Sequence, residues 1–506
     1  MAPVRRTIIA VAVLVAACSS GGEPEATSPT TVYRPPPSAA GGGYTPVFSP
    51  GSCPATVPAD PAITCGSLTV PERHGRPEGR QVRLAVARLA ARAANPAPDP
   101  LLILVGGPGD SGLAVSEGFL TSSARDAREV IFLDQRGTGA SEPSLACPEL
   151  DALVVPHLAT RPDDRAAREA RLDATRACRS RLVDAGVDLG AYTSAESAAD
   201  VADLRVALGI ERWNVQGTSY GTRLALTLAR DHPEGVRALV LDSTVPLEVD
   251  DRAELRPNAQ RAFDQLFEGC AADPDCASAH GDLARRTSAL VARLQAQPGS
   301  ASAANPSTGA PITVAFDGDV IAASLFGGLY QTELIPLLPA LLAAADRGEL
   351  PDVAAAIVSE TVEQGDFSRG MHLSVQCAEE LPFARGDGPS LLGLDVELDV
   401  IVPEQCEIWD VPAAPSIETQ AVRSDIPTLI VAGQYDPVTP PAWGELVAKA
   451  LPQSTFVEFP GQGHGQFVHD CPRSIRNSFL AEPARPPDST CVAAMGAPAW
   501  VVPGPR

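Results

Sequence analysis

The chain has 506 residues, with 62 Asp and Glu against 39 Lys and Arg and a formal net charge of −23. That acidity argues against nucleic acid as a partner and against a polybasic grip on a membrane surface. Eleven cysteines are many for a reducing compartment, and the length suits a large α/β core with an insertion.

Residues 1–17 carry Arg5 and Arg6, then an apolar run from Ile8 to Ala17 that is too short to span a membrane; this is the pattern of an export signal. The run ends Val15-Ala16-Ala17-Cys18, which resembles the lipobox of bacterial lipoproteins. Lipidation of Cys18 would make it the mature N-terminus and anchor an extracytoplasmic protein to the membrane through lipid. Residues 18–52 are Ser, Gly, Pro and Thr with few aliphatic side chains, so they are expected to form a disordered tether.

Setting Cys18 aside leaves an even number of cysteines, which suits a disulfide framework. Closeness in sequence suggests Cys53 with Cys65, Cys147 with Cys178, Cys270 with Cys276, Cys377 with Cys406 and Cys471 with Cys491. No CxxC stands with a matching His or Cys pair, so a zinc site is not expected.

Strand signals begin at residues 81–89, where Val82, Leu84 and Val86 alternate. Residues 101–105 are continuously apolar, as befits a central strand covered on both faces, and lead into Gly106-Gly107-Pro108-Gly109. Val130-Ile131-Phe132-Leu133 is a second buried strand and leads into Asp134-Gln135-Arg136-Gly137-Thr138-Gly139. Further strands are expected at residues 213–216, 236–241, 428–432 and 455–459, alternating with helical stretches. The fold class is therefore α/β, a mostly parallel, doubly wound sheet. Between Ser243 and Ile426 the pattern turns helical over residues 257–270, 282–295 and 334–347, with a Ser, Ala and Gly-rich loop at 298–311. This divides the folded chain into core residues 53–243, a mostly helical lid over 244–426, and core residues 427–506.

The turn Gly217-Thr218-Ser219-Tyr220-Gly221 fits the G-x-S-x-G pattern of a serine nucleophile held at a strand-to-helix elbow. Its context agrees, because a short buried strand precedes it and residues 220–231 carry Leu224, Leu226, Leu228 and Ala229 at helical spacing. A serine hydroxyl is a poor nucleophile until an imidazole takes its proton and a carboxylate orients that imidazole. His464, hemmed by glycines in Gly461-Gln462-Gly463-His464-Gly465, follows the last expected strand. Asp436 follows the strand before it, so the order Ser219, Asp436, His464 is that of an α/β-hydrolase triad. His232 and His469 are weaker candidates; His74, His157, His280 and His372 are expected on the surface. The Tyr220 amide and, since Pro108 lacks an N–H, the Gly107 amide are the expected oxyanion donors.

Three motifs carry a family resemblance. Leu104 to Gly112 (LVGGPGDSG) resembles the HGGPG loop of proline iminopeptidases, with Val105 where they carry His. DQRGTG at 134–139 and GTSYG at 217–221, with GQYDPVTP and GQGHG further on, are similar to the tripeptidyl aminopeptidase and proline iminopeptidase family, serine exopeptidases of the α/β-hydrolase fold. The resemblance implies a peptide substrate whose free N-terminus is recognised by acidic residues of the lid. Glu379 and Glu380 are the local candidates. It implies no metal or organic cofactor and gives no oligomeric state. The expected activity is release of short peptides, tripeptides by the resemblance, through an acyl-enzyme on Ser219. The alternatives are a carboxylesterase or lipase on the same fold, or a non-catalytic cell-surface binding lipoprotein.

Overall fold

The computed structural model describes residues 33–38, 44–161, 164–363, 367–396, 398 and 403–502. The expected signal segment, Cys18 and most of the tether lie outside these residues.

Nine strands form one sheet in the order β1-β2-β3-β5-β4-β6-β7-β10-β11. β1 (Val47–Gly51), β2 (Ile63–Pro71) and β3 (Gln81–Leu89) make an antiparallel flank, and β3 pairs antiparallel with β5 (Val130–Leu133). From there the pairing is parallel through β4 (Leu101–Leu104), β6 (Trp213–Thr218), β7 (Val236–Asp242), β10 (Thr428–Gly433) and β11 (Ser454–Phe459).

The central strands are largely apolar because both faces are covered. Leu102, Leu104, Val215, Leu239, Leu241 and Ile430 meet helices Ser194–Ala207, Tyr220–Asp231 and Pro441–Ala450. Leu101, Ile103, Phe132, Val240 and Val431 meet the other layer, which includes Ile475 and Phe479 of helix Asp470–Ala481. Alternate residues thus face alternate layers; the buried polar exceptions Asn214, Gln216 and Asp242 lie in β6 and β7.

The segment between β7 and β10 has a core of its own, built from Phe263, Leu266, Leu290, Phe316, Ile321, Leu325 and Leu342 among others. Helices Asp251–Ala272, Leu283–Ala296, Gly318–Tyr330 and Leu338–Asp346 supply most of it. The Ser, Ala and Gly-rich stretch expected as a loop is instead an antiparallel hairpin, β8 (Gly299–Ala304) with β9 (Pro311–Phe316). Small side chains gave β8 no alternation to read; its pairing comes from β9, where Ile312, Val314 and Phe316 are buried.

A second difference concerns the first core segment, which also carries helices. Pro148–His157 and Arg165–Asp184 leave the sheet and join residues 371–377 and Trp409 in a shared cluster with Leu145, Leu182 and Tyr192. Two disulfides, Cys147–Cys178 and Cys377–Cys406, lie in this cluster.

All five pairings expected from spacing are present. The tether boundary at residue 52 is corrected, because β1 lies inside the sheet, paired from Val47↔Thr69 to Gly51↔Cys65. Its side chains are almost all exposed, so hydrophobic periodicity could not reveal it. Backbone pairing and the Cys53–Cys65 bond hold it instead.

Candidate active site

The carboxyl ends of β4, β6, β7, β10 and β11 converge, and each is followed by a residue of chemical interest; in open α/β sheets this is where ligands bind. β6 ends at Thr218 and Ser219 follows in a left-handed conformation, φ 57° and ψ −129°, which a β-carbon makes costly by about 1–3 kcal/mol. The glycines on either side have a steric cause. A Cβ on Gly217 would lie 2.2 Å from the Gly221 carbonyl oxygen, and one on Gly221 would lie 2.2 Å from that of Leu104. The Ser219 N–H donates to the Asp242 carbonyl at 3.0 Å, tying the turn to β7. Helix Tyr220–Asp231 then buries Leu224, Ala225, Leu226, Leu228 and Ala229 against the sheet, which fixes the turn from the other end.

Asp436 lies in the turn after β10. Its Oδ2 stands 2.9 Å from His464 Nδ1. The Val438 and Thr439 amides donate to its Oδ1 at 3.0 and 2.9 Å, and the Thr439 hydroxyl donates to Oδ2 at 2.7 Å. Burial pushes the Asp436 carboxyl up, but the imidazole and the Thr439 donors outweigh it and hold the group below the usual carboxylate range. Burial likewise pushes the His464 imidazole down, while Asp436, Asp242 and Asp110 outweigh it and raise the group. The His464 Nε2 is buried with no hydrogen-bond partner among the described residues. The Tyr330 ring stacks on the imidazole. Asp436 and His464 are thus in contact, and the end of β7 ties in both other parts: Asp242 accepts from the Ser219 N–H through its carbonyl and from the Gln466 N–H, two positions after His464, through its carboxylate. No Ser219–His464 hydrogen bond is formed.

Gly107 follows β4 at φ 105° and is open to solvent, while its neighbours Gly106, Pro108 and Gly109 are buried. Gly106 lies against Ser219, since a Cβ there would come 2.8 Å from Ser219 Cβ. The loop is held from the insert side. The Ser368 N–H donates to the Gly109 carbonyl at 2.9 Å, and His372 Nδ1 donates to the Pro108 carbonyl at 3.0 Å. Burial pushes the His372 imidazole down to about 4, so the ring is neutral and its Nδ1 carries the donated proton. Tyr220 opens the helix beside Ser219, with its ring buried and its hydroxyl 2.9 Å from that of Ser194.

An alpha/beta hydrolase fold family model matches residues 99–470 of this chain, a span that includes every one of these residues. The chain belongs to the α/β-hydrolase fold family. It is a serine hydrolase. It is similar to serine protease Hip1 of Mycobacterium tuberculosis, 26% identical over 442 residues, which cover 79% of this chain and 81% of that protein. It is also similar to the tripeptidyl aminopeptidase of Streptomyces coelicolor, 26% identical over 408 residues, covering 75% of this chain and 73% of the relative. Among solved structures, the proline iminopeptidase of Mycobacterium smegmatis aligns at 20% identity over 83% of this chain and 98% of its own, with a TM-score of 0.41.

The acidic turn of this α/β hydrolase is placed otherwise than expected. Glu379 is 1% exposed, and its carboxylate accepts from the Ser194 N–H and hydroxyl, both at 2.6 Å, and from Arg223 Nε at 3.3 Å. It is therefore a structural partner of the helix that follows Ser219 rather than a group open to a ligand. Glu380 keeps a partly open side chain and lies 2.7 Å from Arg223 Nη1. Burial, with Asp251 and Glu379 nearby, pushes its carboxyl well above the usual range despite Arg223.

Four histidines expected on the surface also need correction in part. His372 braces the Gly106–Gly109 loop, His280 is buried, and His74 is buried between Glu196 at 2.5 Å and Asp203 at 3.1 Å. Burial opposes the charge on His74, yet its two carboxylate partners lift it to about 9. Only His157 stays partly open. The partners lie more than a hundred positions away, so local context could not reveal them. Sequence reasoning also missed Thr439, Asp242 and Tyr330. Thr439 could have been found, since it stands three positions after Asp436 where a hydroxyl readily reaches back to a turn carboxylate.

Proposed function

We propose that this serine hydrolase is an exported aminopeptidase that releases short peptides, tripeptides by the likeness to its relatives, from free N-termini. The observation that carries the reading is the 2.9 Å contact of Asp436 Oδ2 with His464 Nδ1, which leaves Nε2 unpartnered among the described residues and free to act as the base. Ser219 attacks the scissile carbonyl while His464 Nε2 accepts its proton. Asp436 holds the imidazole tautomer and steadies the imidazolium. The Gly107 and Tyr220 amides receive the developing oxyanion. His464 then protonates the leaving amine, and water releases the N-terminal fragment from Ser219.

The segment over residues 244–426 acts as the lid, and Glu380 is the group that receives the substrate ammonium. A cation there would favour the charged form of a carboxyl that burial raises, a charge-assisted contact of about 1.5–3 kcal/mol. Export rests on the leader-like first residues and on five disulfides, which persist in oxidising compartments. Lipidation at Cys18 is part of the same reading and lies outside the described residues.

The test is a panel of mono-, di- and tripeptidyl aminocoumarins, each free and N-acetylated, beside simple acyl esters. The reading expects hydrolysis concentrated on free tripeptidyl reporters. Equal rates on blocked and free peptides, or activity confined to esters, would move the protein to the esterase reading.

A further inference from the structure

We infer that Tyr330, at the end of helix Gly318–Tyr330 in the insert, is a positioning residue for His464, so that the base is fully set only with the insert seated on the strand ends. The inference rests on the assignment of Ser219 and His464 as nucleophile and base.

The loop that carries His464 has little order of its own. Gly461 and Gly465 flank it at φ 72° and 80°, and glycine backbone resists fixing more than any other. The core holds its two ends, through Gln434 and Tyr435 before His464 and through Ser243 and Asp242 after it, and the insert holds its middle. The His464 N–H donates to the Tyr330 carbonyl at 2.9 Å, and the Gly463 N–H donates to the Thr332 hydroxyl at 2.9 Å. The approach is close enough that a Cβ on Gly463 would sit 2.5 Å from the Leu329 carbonyl oxygen and 2.9 Å from that of Tyr330. The Tyr330 ring then stacks on the imidazole, centroids 4.1 Å apart and planes at 27°. Asp436 grips one ring nitrogen, which leaves rotation about that contact unopposed; the stacked ring opposes it.

The other ring nitrogen, His464 Nε2, has no partner among the described residues and is the one left to take a proton. When Ser219 attacks, its O–H bond breaks, the proton goes to Nε2 and the oxygen lone pair goes to the carbonyl carbon. Tyr330 neither gains nor loses a proton; its part is to hold the ring in place.

Two variants separate the parts. Tyr330→Phe keeps the ring and removes the hydroxyl; Tyr330→Leu removes the stack. Each is tested in the full chain by kcat and KM on a free tripeptidyl reporter, by the pH dependence of kcat/KM, and by the rate at which a fluorophosphonate labels Ser219. Tyr330→Leu is expected to lower kcat about ten- to a hundredfold with KM within about threefold, the scale for a displaced catalytic group. Its acid limb should also move to higher pH, because water replaces the ring while Asp436, Asp242 and Asp110 still face the imidazole. Tyr330→Phe should slow labelling and kcat by a smaller factor and leave the acid limb in place. Unchanged kcat and acid limb in Tyr330→Leu, or a loss wholly in KM, would overturn the positioning role. Should Tyr330→Leu fail to fold, Tyr330→Phe decides: a loss of kcat of about tenfold or more with the ring kept would overturn the stacking role. Labelling needs no peptide, so slowed labelling in a protein that ignores all peptides would sustain the inference while the aminopeptidase reading fails.

Discussion

Thr439 bridges the proposed acid and base: its hydroxyl oxygen lies 2.7 Å from Asp436 Oδ2 and 3.1 Å from His464 Nδ1, while those two atoms are 2.9 Å apart. A three-way contact of this kind fixes both the carboxylate plane and the imidazole tautomer. Asp436→Asn should preserve the fold and lower kcat by about 10³- to 10⁴-fold, since the wrong tautomer would be favoured. Thr439→Val should cost far less, about tenfold, because only one of four donors to the carboxylate is lost. Steady-state kinetics on a free tripeptidyl reporter gives both numbers, and a Thr439→Val loss as large as that of Asp436→Asn would contradict the ranking.

The pH dependence has two sides. His464 is raised above the usual imidazole value of 6.5, so the acid limb of kcat/KM should lie above that pH. Stability follows the opposite sign. The contribution of His464 is whole below its unfolded value and fades as pH rises through its raised folded value. Asp436 is lowered, so its contribution is whole above the ordinary carboxylate value of 3.8 and fades as pH falls through its depressed one. Urea unfolding of wild type and His464→Gln across pH should converge at high pH, and parallel curves would count against the linkage.

Gly221→Ala tests the steric account of the elbow. With the added carbon 2.2 Å from the Leu104 carbonyl oxygen, backbone must move, so a loss of about 1–3 kcal/mol or more is expected, together with loss of activity. Denaturant midpoints measure the first; a variant as stable and active as wild type would remove the argument.

Two disulfides pin the helical excursion beside the acidic turn. Cys377→Ser with Cys406→Ser should destabilise the protein by about 2–4 kcal/mol, read as a lower midpoint in guanidinium. Glu380→Gln should act differently, leaving the midpoint near wild type while narrowing the rate difference between free and acetylated peptides. An undiminished preference for the free amine would remove Glu380 from substrate recognition.

Much of the fold could be read from the sequence because the central strands are apolar on both faces and are punctuated by glycine. The helix after Ser219 has the expected bounds, Tyr220–Asp231, since its apolar spacing and the preceding glycine turn agree. The same reading failed where pairing rather than burial makes the strand. β1 exposes nearly all its side chains, and β8 is built of Gly, Ser and Ala. The triad order was legible because each residue follows a strand. What surrounds it was not, for Tyr330, His372 and Asp242 reach the site from distant segments, and their roles come from contacts that no local pattern encodes. Glu379 shows the converse: an acidic pair in sequence carries no sign that Arg223 and Ser194 will occupy one of its members.

The most direct measurement compares wild type with Ser219→Ala on a free tripeptidyl aminocoumarin, with both proteins shown to melt alike. The account predicts measurable turnover in wild type and none above background in the variant. Turnover that survives the loss of the Ser219 hydroxyl would contradict it.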